Sequence, residues 1–364
     1  MRWKRICSGN LLLSCLPTRK CLFLWKERFP CLGALRREKG GFVALLEVKD
    51  LKKYYPAGGG LFSPKKFVKA VDGVSFTLEA GETLGLVGES GCGKSTLARV
   101  LLRLEEPQSG SILLDGTELT ALKGEALRKR RGDFQMIFQD PYASLNPRLS
   151  VYSTLEEPLL LHTHLNKEER KERIGELLDM VGLHREHAGR YPHQFSGGQR
   201  QRIGIARALA VNPRFIVADE PVSALDVSVQ AQIVNLLQDI QKKTGTAFLF
   251  IAHDLAVVEH ISKRIMVMYL GKVMELGDAR ELCSAPRHPY TEALLASVPV
   301  LDPERRGKKR KLSGDVPSPL APPSGCRFHP RCPRAEKICT EQEPPMRDLG
   351  NGHFCCCHFA ESKT

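Results

Sequence analysis

The stretch GESGCGKST, Gly88 to Thr96, decides the fold class of this 364-residue chain. It follows an apolar segment, residues 83–87, with the composition of a buried strand, and it precedes a helical pattern from about Ser95 to Leu104. This strand–loop–helix context fits the pattern G-x-x-x-x-G-K-[ST], in which backbone N–H groups and a helix N-terminus surround phosphate groups. The sequence therefore predicts a phosphate-binding loop in an α/β fold.

Nine consecutive residues are expected to form this loop and to contact the phosphates. They are Gly88, Glu89, Ser90, Gly91, Cys92, Gly93, Lys94, Ser95 and Thr96. In this pattern the lysine reaches the β and γ phosphates of a nucleotide, and the following serine holds Mg²⁺. We therefore predict these two roles for Lys94 and Ser95.

Polar residues at the ends of three apolar segments complete the predicted site. RFIVADE (214–220) ends in Asp219, expected to bind Mg²⁺ through water, and in Glu220, placed to act as general base. Gln139 ends DFQMIFQ and is expected to contact Mg²⁺ or water, and His253 ends TAFLFIAH and is expected to touch the γ-phosphate. Each of these residues alone has the simpler interpretation of a polar residue at a strand end. Their shared place in one phosphate-binding sheet favours the functional interpretation.

Short apolar runs that alternate with helical patterns predict an α/β fold with a mostly parallel sheet. Residues 42–51 and 111–116 have strand character, and residues 67–90 have the pattern of successive strands. Helices are predicted over 155–187 and over 228–243. Loops are predicted at 58–66 and at the proline-rich segment 315–325.

The formal charge of +13 is concentrated at the N-terminus, because residues 1–41 contain ten Lys or Arg and two acidic residues. The remaining chain carries only about +5, which argues against a basic nucleic-acid-binding face on the folded body. The apolar run before Cys15 is too short for a secretory signal. Residues 1–41 are expected to be a disordered extension or the product of a start codon assigned too early.

Six of the twelve cysteines follow residue 325. A disulfide framework is not expected in a reducing compartment. The spacings C-x5-C and C-x6-C, from Cys326 to Cys339, match neither the usual zinc pattern nor common ferredoxin runs. The residues alone leave a metal or iron–sulfur site and structural thiols as open alternatives.

The stretch FSGGQRQR (195–202) contains no acid, histidine or thiol. The chain resembles ATP-binding cassette (ABC) ATPases over residues 42–276, with a helical subdomain at about 140–212. In this resemblance FSGGQ (195–199) is the signature. The other matching motifs are the phosphate loop, Gln139, RFIVADE, SALD (223–226) and His253. The resemblance implies a P-loop ATPase fold with a mixed sheet. It also implies that two cassettes pack head to tail, so that the signature caps the γ-phosphate on the partner chain. The residues to which it assigns nucleotide contacts are Ser196, Gly197, Gly198, Gln199, Asp226 and, stacked on adenine, Tyr55, with Tyr54 as its rival.

Four further stretches resemble the oligopeptide and dipeptide importers, most closely the F-type ATPase subunit: 138–148, 190–209, 218–232 and 286–295. The resemblance implies ATP hydrolysis with Mg²⁺ at the cytoplasmic face of the inner membrane, where the chain is peripheral. The implied partners are a sister ATPase or a second copy, two integral-membrane permeases and an external solute-binding protein. Nickel or another solute is the alternative cargo. A nucleic-acid ATPase is a further alternative, but the chain has one phosphate loop, one signature and no long heptad run.

The cysteine-rich tail, part of a C-terminal region at 277–364, also resembles that of the importers. Several members of the family hold a [4Fe–4S] cluster there. The resemblance assigns its ligands to Cys326, Cys332, Cys339 and Cys357. The additional Cys355 and Cys356 depart from the family pattern, so that the fourth ligand stays open.

Overall fold

The computed structural model describes residues 44–57, 66–297 and 314–361. Its strands are β1 (Leu46–Ala57), β2 (Lys66–Leu78), β3 (Thr83–Val87), β4 (Ser109–Leu114), β5 (Thr117–Glu118), β6 (Phe134–Ile137), β7 (Phe215–Asp219), β8 (Ala247–Ile251), β9 (Arg264–Tyr269), β10 (Lys272–Asp278), β11 (Arg347–Asp348) and β12 (Phe354–Cys355). Its α-helices are α1 (Lys94–Leu101), α2 (Gly124–Arg130), α3 (Val151–His162), α4 (Lys167–Met180), α5 (Gly197–Leu209), α6 (Val227–Thr244), α7 (Leu255–Ile261), α8 (Ala279–Ser284), α9 (Pro289–Ser297) and α10 (Lys337–Glu341). The basic extension 1–41 lies outside the described residues, as does nearly all of the predicted loop 58–66.

The central sheet is mixed and has the strand order β11-β12-β10-β9-β3-β8-β7-β6. Neighbouring strands from β9 through β3, β8 and β7 to β6 pair in parallel, whereas β10, β12 and β11 add antiparallel pairs at the opposite edge. All residues of β3, β7 and β8 are buried. Continuous apolar runs form such strands because helices cover both faces of a parallel sheet. The predicted α/β fold with a mixed sheet is confirmed.

A second, antiparallel sheet has the order β2-β1-β4-β5 and packs across the phosphate-loop helix α1. Leu97 and Leu101 of α1 are fully or almost fully buried among residues from both sheets, including Leu51 of β1 and Leu86 of β3. The opposite face of the central sheet packs against the helical region around α3, α4 and α5. Helix α1 is therefore held between two layers of apolar side chains, which positions the loop before it.

Helix boundaries differ from the predicted ones at two places. The helix predicted to reach Leu104 ends at Leu101, because Arg103 has a positive φ of 51° that a helix cannot continue through. The helical pattern at 155–187 forms α3 and α4, which are separated because Asn166 begins a new helix with a capping box to Glu169. The helix predicted at 228–243 is α6.

The cysteine-rich tail continues the central sheet. Glu275 and Leu276 of β10 pair with Cys355 and Phe354 of β12. The carboxylate of Glu275 is fully buried and accepts hydrogen bonds from the backbone N–H groups of Arg287 and His288, at 2.7 and 3.1 Å. It also lies 2.7 Å from His353 Nε2. The tail is thereby attached to the central sheet by strand pairing and by a buried polar network.

None of the helices in the described part of the chain combines the length and the apolar character that a membrane span requires.

Gly85 in β3 provides a test of this packing. A Cβ atom at Gly85 would overlap Val258 Cγ1 of α7 and would lie 2.7 Å from Ser262 Oγ. Because Val258 is fully buried, Gly85→Ala is expected to lower the free energy of unfolding by about 1 to 3 kcal/mol, the usual cost of overpacking a core. Urea unfolding monitored by circular dichroism measures this loss.

The matched control for this substitution is Gly204→Ala in α5, where an added Cβ meets no atom within 4 Å. This variant is expected to be as stable as the parent chain or more stable by up to about 1 kcal/mol, because alanine favours helix. Equal stabilities of Gly85→Ala and the parent chain would contradict the close packing of α7 on β3.

Candidate active site

The phosphate loop lies between β3 and α1 with a backbone shape that requires glycine. Gly88 and Gly93 have φ values of 154° and 107°. A Cβ at Gly88 would overlap the carbonyl oxygen of Met268, and one at Gly93 would overlap that of Ala70. The loop is therefore pressed against β9 and β2, in a shape that a side chain at either glycine would prevent.

The ammonium of Lys94 lies across this loop. Its Nζ donates to the carbonyl oxygens of Gly88 and Glu89 at 2.7 and 3.1 Å, and the residue is buried. Its further partner is Cys92 Sγ at 3.9 Å. A buried cation whose partners are neutral retains a strong field for an anion. Lys94 is thus placed where the sequence pattern predicts a contact with phosphate.

Ser95 and Asp219 are brought together across the sheet. The Ser95 hydroxyl donates to Asp219 Oδ1 at 3.4 Å, and Asp219 is the last residue of β7. Burial raises the pKa of the Asp219 carboxyl, against the opposing effect of the Ser95 hydrogen bond. Two adjacent oxygen ligands suit Mg²⁺, which usually binds one or two protein groups together with substrate phosphates. Within the described ranges, no group of three or more His, Cys, Asp or Glu side chains is arranged to hold a metal ion.

Two predicted catalytic residues, Gln139 and His253, converge on one carboxylate oxygen of the third, Glu220. Gln139 Nε2 donates to Glu220 Oε2 at 2.9 Å, and His253 Nδ1 lies 3.8 Å from the same oxygen. Glu220 has a positive φ of 45°, although its N–H continues the sheet ladder by donating to the Ile251 carbonyl at 2.9 Å. A non-glycine residue in this region costs about 1 to 3 kcal/mol, and such strain is concentrated at functional sites.

The predicted positions of Gln139 and His253 at strand ends are wrong by two residues. Strand β6 ends at Ile137 and β8 ends at Ile251, so that both side chains lie in the bends that follow the strands. The apolar pattern runs past the last ladder hydrogen bond in each case. These bends allow the two side chains to turn toward Glu220.

The signature residues lie at the exposed N-terminus of α5. Ser196 is the N-cap residue, and it forms a capping box with Gln199 in which each side chain accepts from the other backbone N–H, at 3.4 and 3.0 Å. A Cβ at Gly198 would lie 2.6 Å from Val229 Cγ1, so only glycine fits against α6. Ser196 and Gly197 therefore present a helix N-terminus at the surface, and Asp226 is the exposed N-cap residue of the adjoining α6.

The two adenine candidates are neighbours in β1 with different partners. The Tyr55 hydroxyl donates to Glu105, and burial raises the pKa of Tyr55 against the opposing effect of the Thr96 side chain in the phosphate loop. The Tyr54 hydroxyl donates to Asp72, and burial together with this bond raises the pKa of Tyr54 to about 12. Tyr55 is thus the tyrosine near the loop.

The four cysteines assigned by resemblance line one cavity: Cys326, Cys332, Cys339 and Cys357. Burial raises the pKa of Cys326 to about 11 and also raises the pKa values of Cys332 and Cys357. The two additional cysteines do not line this cavity. Cys355 lies in β12, and Cys356 Sγ donates to the Pro344 carbonyl at 3.1 Å.

Two residues of the C-terminal region that no sequence pattern indicates contact the phosphate loop. Arg331 forms a two-point ion pair with the carboxylate of Glu89, and the Tyr290 hydroxyl accepts a hydrogen bond from the Glu89 N–H at 2.9 Å. Tyr290 and Arg331 lie 201 and 242 positions from Glu89, and no spacing pattern connects them to it.

Comparison with known proteins places these features in a family. Residues 71–223 match the family model described as ABC transporter, and residues 274–339 match the model described as oligopeptide/dipeptide transporter, C-terminal region. The oligopeptide transport ATP-binding protein AppF of Bacillus subtilis is 56% identical over 321 residues, which cover 86% of this chain and 97% of AppF. The dipeptide transport ATP-binding protein DppF of Escherichia coli is 52% identical over 312 residues, which cover 86% of this chain and 93% of DppF.

Solved structures show the same fold. The dimeric ATP-binding cassette MJ0796, in a post-hydrolysis state bound to ADP and Pi, is 32% identical with a TM-score of 0.58, and the match covers 65% of this chain and 99% of MJ0796. CbiO1 of Clostridium perfringens, part of the ABC transporter complex cbiONQ, is 27% identical with the same TM-score, and the match covers 66% of this chain and 91% of cbiO1. The chain therefore belongs to the ABC transporter family, among the ATP-binding proteins of oligopeptide and dipeptide transport.

Proposed function

We propose that this chain is the F-type ATP-hydrolysing subunit of an importer for oligopeptides or dipeptides. The observation that carries the proposal is the convergence of Gln139 and His253 on Glu220, beside a complete phosphate loop. The C-terminal region, which matches the oligopeptide/dipeptide transporter model, favours peptides as the cargo. An importer for nickel or another solute with the same ATPase chemistry is the second candidate, and a nucleic-acid ATPase is disfavoured by this region.

The side chains have separate roles in the proposed reaction. Lys94 and the loop N–H groups bind the β and γ phosphates. Ser95 and Asp219 hold Mg²⁺, which would neutralise charge on those phosphates. Glu220 accepts the proton of the attacking water, a role that typically contributes about 10² to 10⁴ in rate. Gln139 orients the Glu220 carboxylate, and His253 lies beside it to contact the γ-phosphate.

The signature is proposed to act on the ATP of a partner chain. Ser196 and Gly197 lie at an exposed helix N-terminus, a position that attracts anions. The capping box within this turn keeps the N-terminus ordered before a partner arrives. The partner is a sister ATPase or a second copy of the chain. Two permeases and an external binding protein complete the importer, with this chain peripheral at the cytoplasmic face of the inner membrane and without nucleic acid.

The adenine of ATP is proposed to stack on Tyr55. This tyrosine is half-buried and lies near Thr96, within reach of the loop that binds the phosphates.

The domain limits are also proposals: an ATP-binding domain at 42–276 with its helical subdomain at about 140–212, and a C-terminal region at 277–364. The ABC transporter model, 71–223, lies before this boundary, whereas the C-terminal model, 274–339, begins three residues before it, and β10 crosses it.

We propose that the cysteine cavity holds an iron–sulfur cluster. Four thiols line it, and four cysteine thiolates are the usual ligand set of a [4Fe–4S] cluster. The proposed ligands are Cys326, Cys332, Cys339 and Cys357.

Glu220→Gln tests the general base. The variant is expected to bind MgATP like the parent chain, to lose at least about 100-fold in kcat and to accumulate as an ATP-bound dimer. Phosphate release and size-exclusion chromatography with ATP measure these effects. Cells that contain only this variant should also fail to take up labelled peptide. The exposed Glu186→Gln is the control. Near-normal hydrolysis by Glu220→Gln would refute the role.

Ser196→Arg tests whether the signature acts across the dimer. The variant should bind ATP with parent affinity, because its own phosphate loop is intact, but should not hydrolyse it. Lys94→Ala should lose ATP binding. A mixture of the two inactive variants should regain part of the activity, since one mixed site has an intact loop and an intact signature. A mixture that forms mixed dimers without activity, or a Ser196→Arg chain that cannot bind ATP, would contradict the proposal.

Cys357→Ser tests the proposed cluster. The parent chain, purified without oxygen, is expected to absorb near 400 nm and to contain about four irons. Cys357→Ser should lose most of this iron, whereas Cys356→Ser should keep it, because Cys356 donates to Pro344 instead of lining the cavity. A colourless, iron-free parent chain would overturn the cluster. Loss of iron from Cys356→Ser alone would overturn the ligand assignment.

A further inference from the structure

The second residue of the phosphate loop, Glu89, is held by residues from the C-terminal region. Arg331 Nη1 and Nη2 donate to the two carboxylate oxygens of Glu89 at 2.8 and 3.1 Å. The Glu89 backbone N–H donates to the Tyr290 hydroxyl at 2.9 Å. The C-terminal region thus binds both the side chain and the backbone of one loop residue.

This ion pair lies in a protected and rigid environment. The side chains of Arg331 and Glu89 are 6% and 22% exposed. The Arg331 guanidinium lies 5.9 Å from the ring centre of Tyr269 and donates to its hydroxyl at 3.4 Å. Tyr269, Tyr290 and Phe328 are fully buried and pack against one another with ring centres 4.7 to 5.4 Å apart. A two-point pair on such a support fixes the carboxylate orientation as well as its charge.

The ion pair between Arg331 and Glu89 affects nucleotide binding because Glu89 is part of the phosphate loop. Glu89 follows Gly88 in the loop, and Lys94 Nζ donates to the carbonyl oxygens of both residues. An unpaired carboxylate here would repel the phosphates of ATP, and it would also offer Lys94 a competing partner. The guanidinium of Arg331 prevents both effects, because it neutralises the carboxylate and holds it toward Tyr269.

A second arginine of the same segment extends the contact toward the tyrosine candidates. Arg327 donates to the carboxylate of Asp72 and to the Leu270 carbonyl, and Asp72 accepts from the Tyr54 hydroxyl. In the sequence CRFHPRC, 326–332, each arginine is adjacent to a cysteine that lines the cavity. The segment 326–332 therefore lines the thiol cavity and also contacts Glu89 of the phosphate loop and Asp72 beside Tyr54.

We propose that Arg331 is a positioning residue for ATP binding, which acts by neutralising and orienting Glu89 of the phosphate loop. The inference rests on the proposed ATPase function and adds to it that the C-terminal region completes the nucleotide site. Arg331 contacts no reacting atom, and its effect passes through Glu89 and Lys94.

Arg331→Gln in the full-length chain tests this role, with affinity measured by fluorescence titration with a mant-labelled ATP and Mg²⁺. The variant is expected to bind roughly tenfold more weakly, because a charge left without its buried partner shifts an equilibrium by at least this factor. The double variant Glu89→Gln/Arg331→Gln should recover most of the affinity, since it also removes the repelling carboxylate. In hydrolysis assays, Arg331→Gln should raise KM more than it lowers kcat.

Two further variants separate positioning from simple loss of structure. Arg331→Lys keeps the positive charge and is expected to bind more tightly than Arg331→Gln. Arg185→Gln removes a half-exposed arginine that also pairs with two carboxylates, Glu172 and Asp179, and it should leave the affinity unchanged. If Arg331→Gln is unstable, the comparison of Glu89→Gln with the parent chain decides, because Glu89→Gln should bind at least as tightly.

Parent affinity in Arg331→Gln, or a double variant as weak as Arg331→Gln, would overturn the inference. Weaker binding by Glu89→Gln than by the parent chain would overturn it as well. A parent chain that fails to bind mant-ATP would instead overturn the proposed function, so the two failures are distinguishable.

Discussion

The parallel pairing of β3, β8 and β7 is the constraint on which the candidate site depends. In the register of these strands, Leu86 is paired with Ile251, and Ile251 is paired with Asp219. The phosphate loop, the bend that contains His253 and the acidic pair therefore begin at one edge of the sheet. Glu220 extends the ladder by one more hydrogen bond, to the Ile251 carbonyl, and adopts a positive φ at that point. The predicted catalytic side chains therefore lie just beyond the last regularly paired residues of these strands.

The proposed nucleotide site is shared between two chains. The phosphate loop, Asp219 and Glu220 lie together on one chain, whereas Ser196 begins an exposed helix and forms a capping box with Gln199 in its first turn. A site that needs a hydrogen-bond donor from a partner chain does not hydrolyse ATP until the partner binds. Closure of the dimer can then be coupled to movement of the transporter. The C-terminal region also contributes to the site, because Arg331 and Tyr290 bind Glu89 of the phosphate loop.

Much of this fold was predictable because short stretches of the sequence contain the patterns that determine it. The glycine spacing of the loop and the apolar runs before Asp219 and His253 identify a parallel sheet and the edge at which polar residues collect. The exact strand ends were not predictable, because the apolar pattern at Phe138 and Ala252 outlasts the ladder hydrogen bonds. The pairing of Arg331 with Glu89 was also hidden, since a contact between distant segments leaves no periodic signal. The residues alone also did not distinguish Cys357 from Cys355 and Cys356. In the structure Cys357 lines the cavity, whereas Cys355 lies in β12.

The central claim is that this chain energises a peptide importer, and its most direct test is purification from native membranes without oxygen. The full-length chain would be extracted gently, and every co-purifying protein would be identified by mass spectrometry. The account predicts two integral-membrane permeases and a second cassette ATPase in the same complex. Recovery of the chain as a dimer free of membrane proteins, or with ribosomal or DNA-bound partners, would contradict the transport function and leave the ATPase assignment in place.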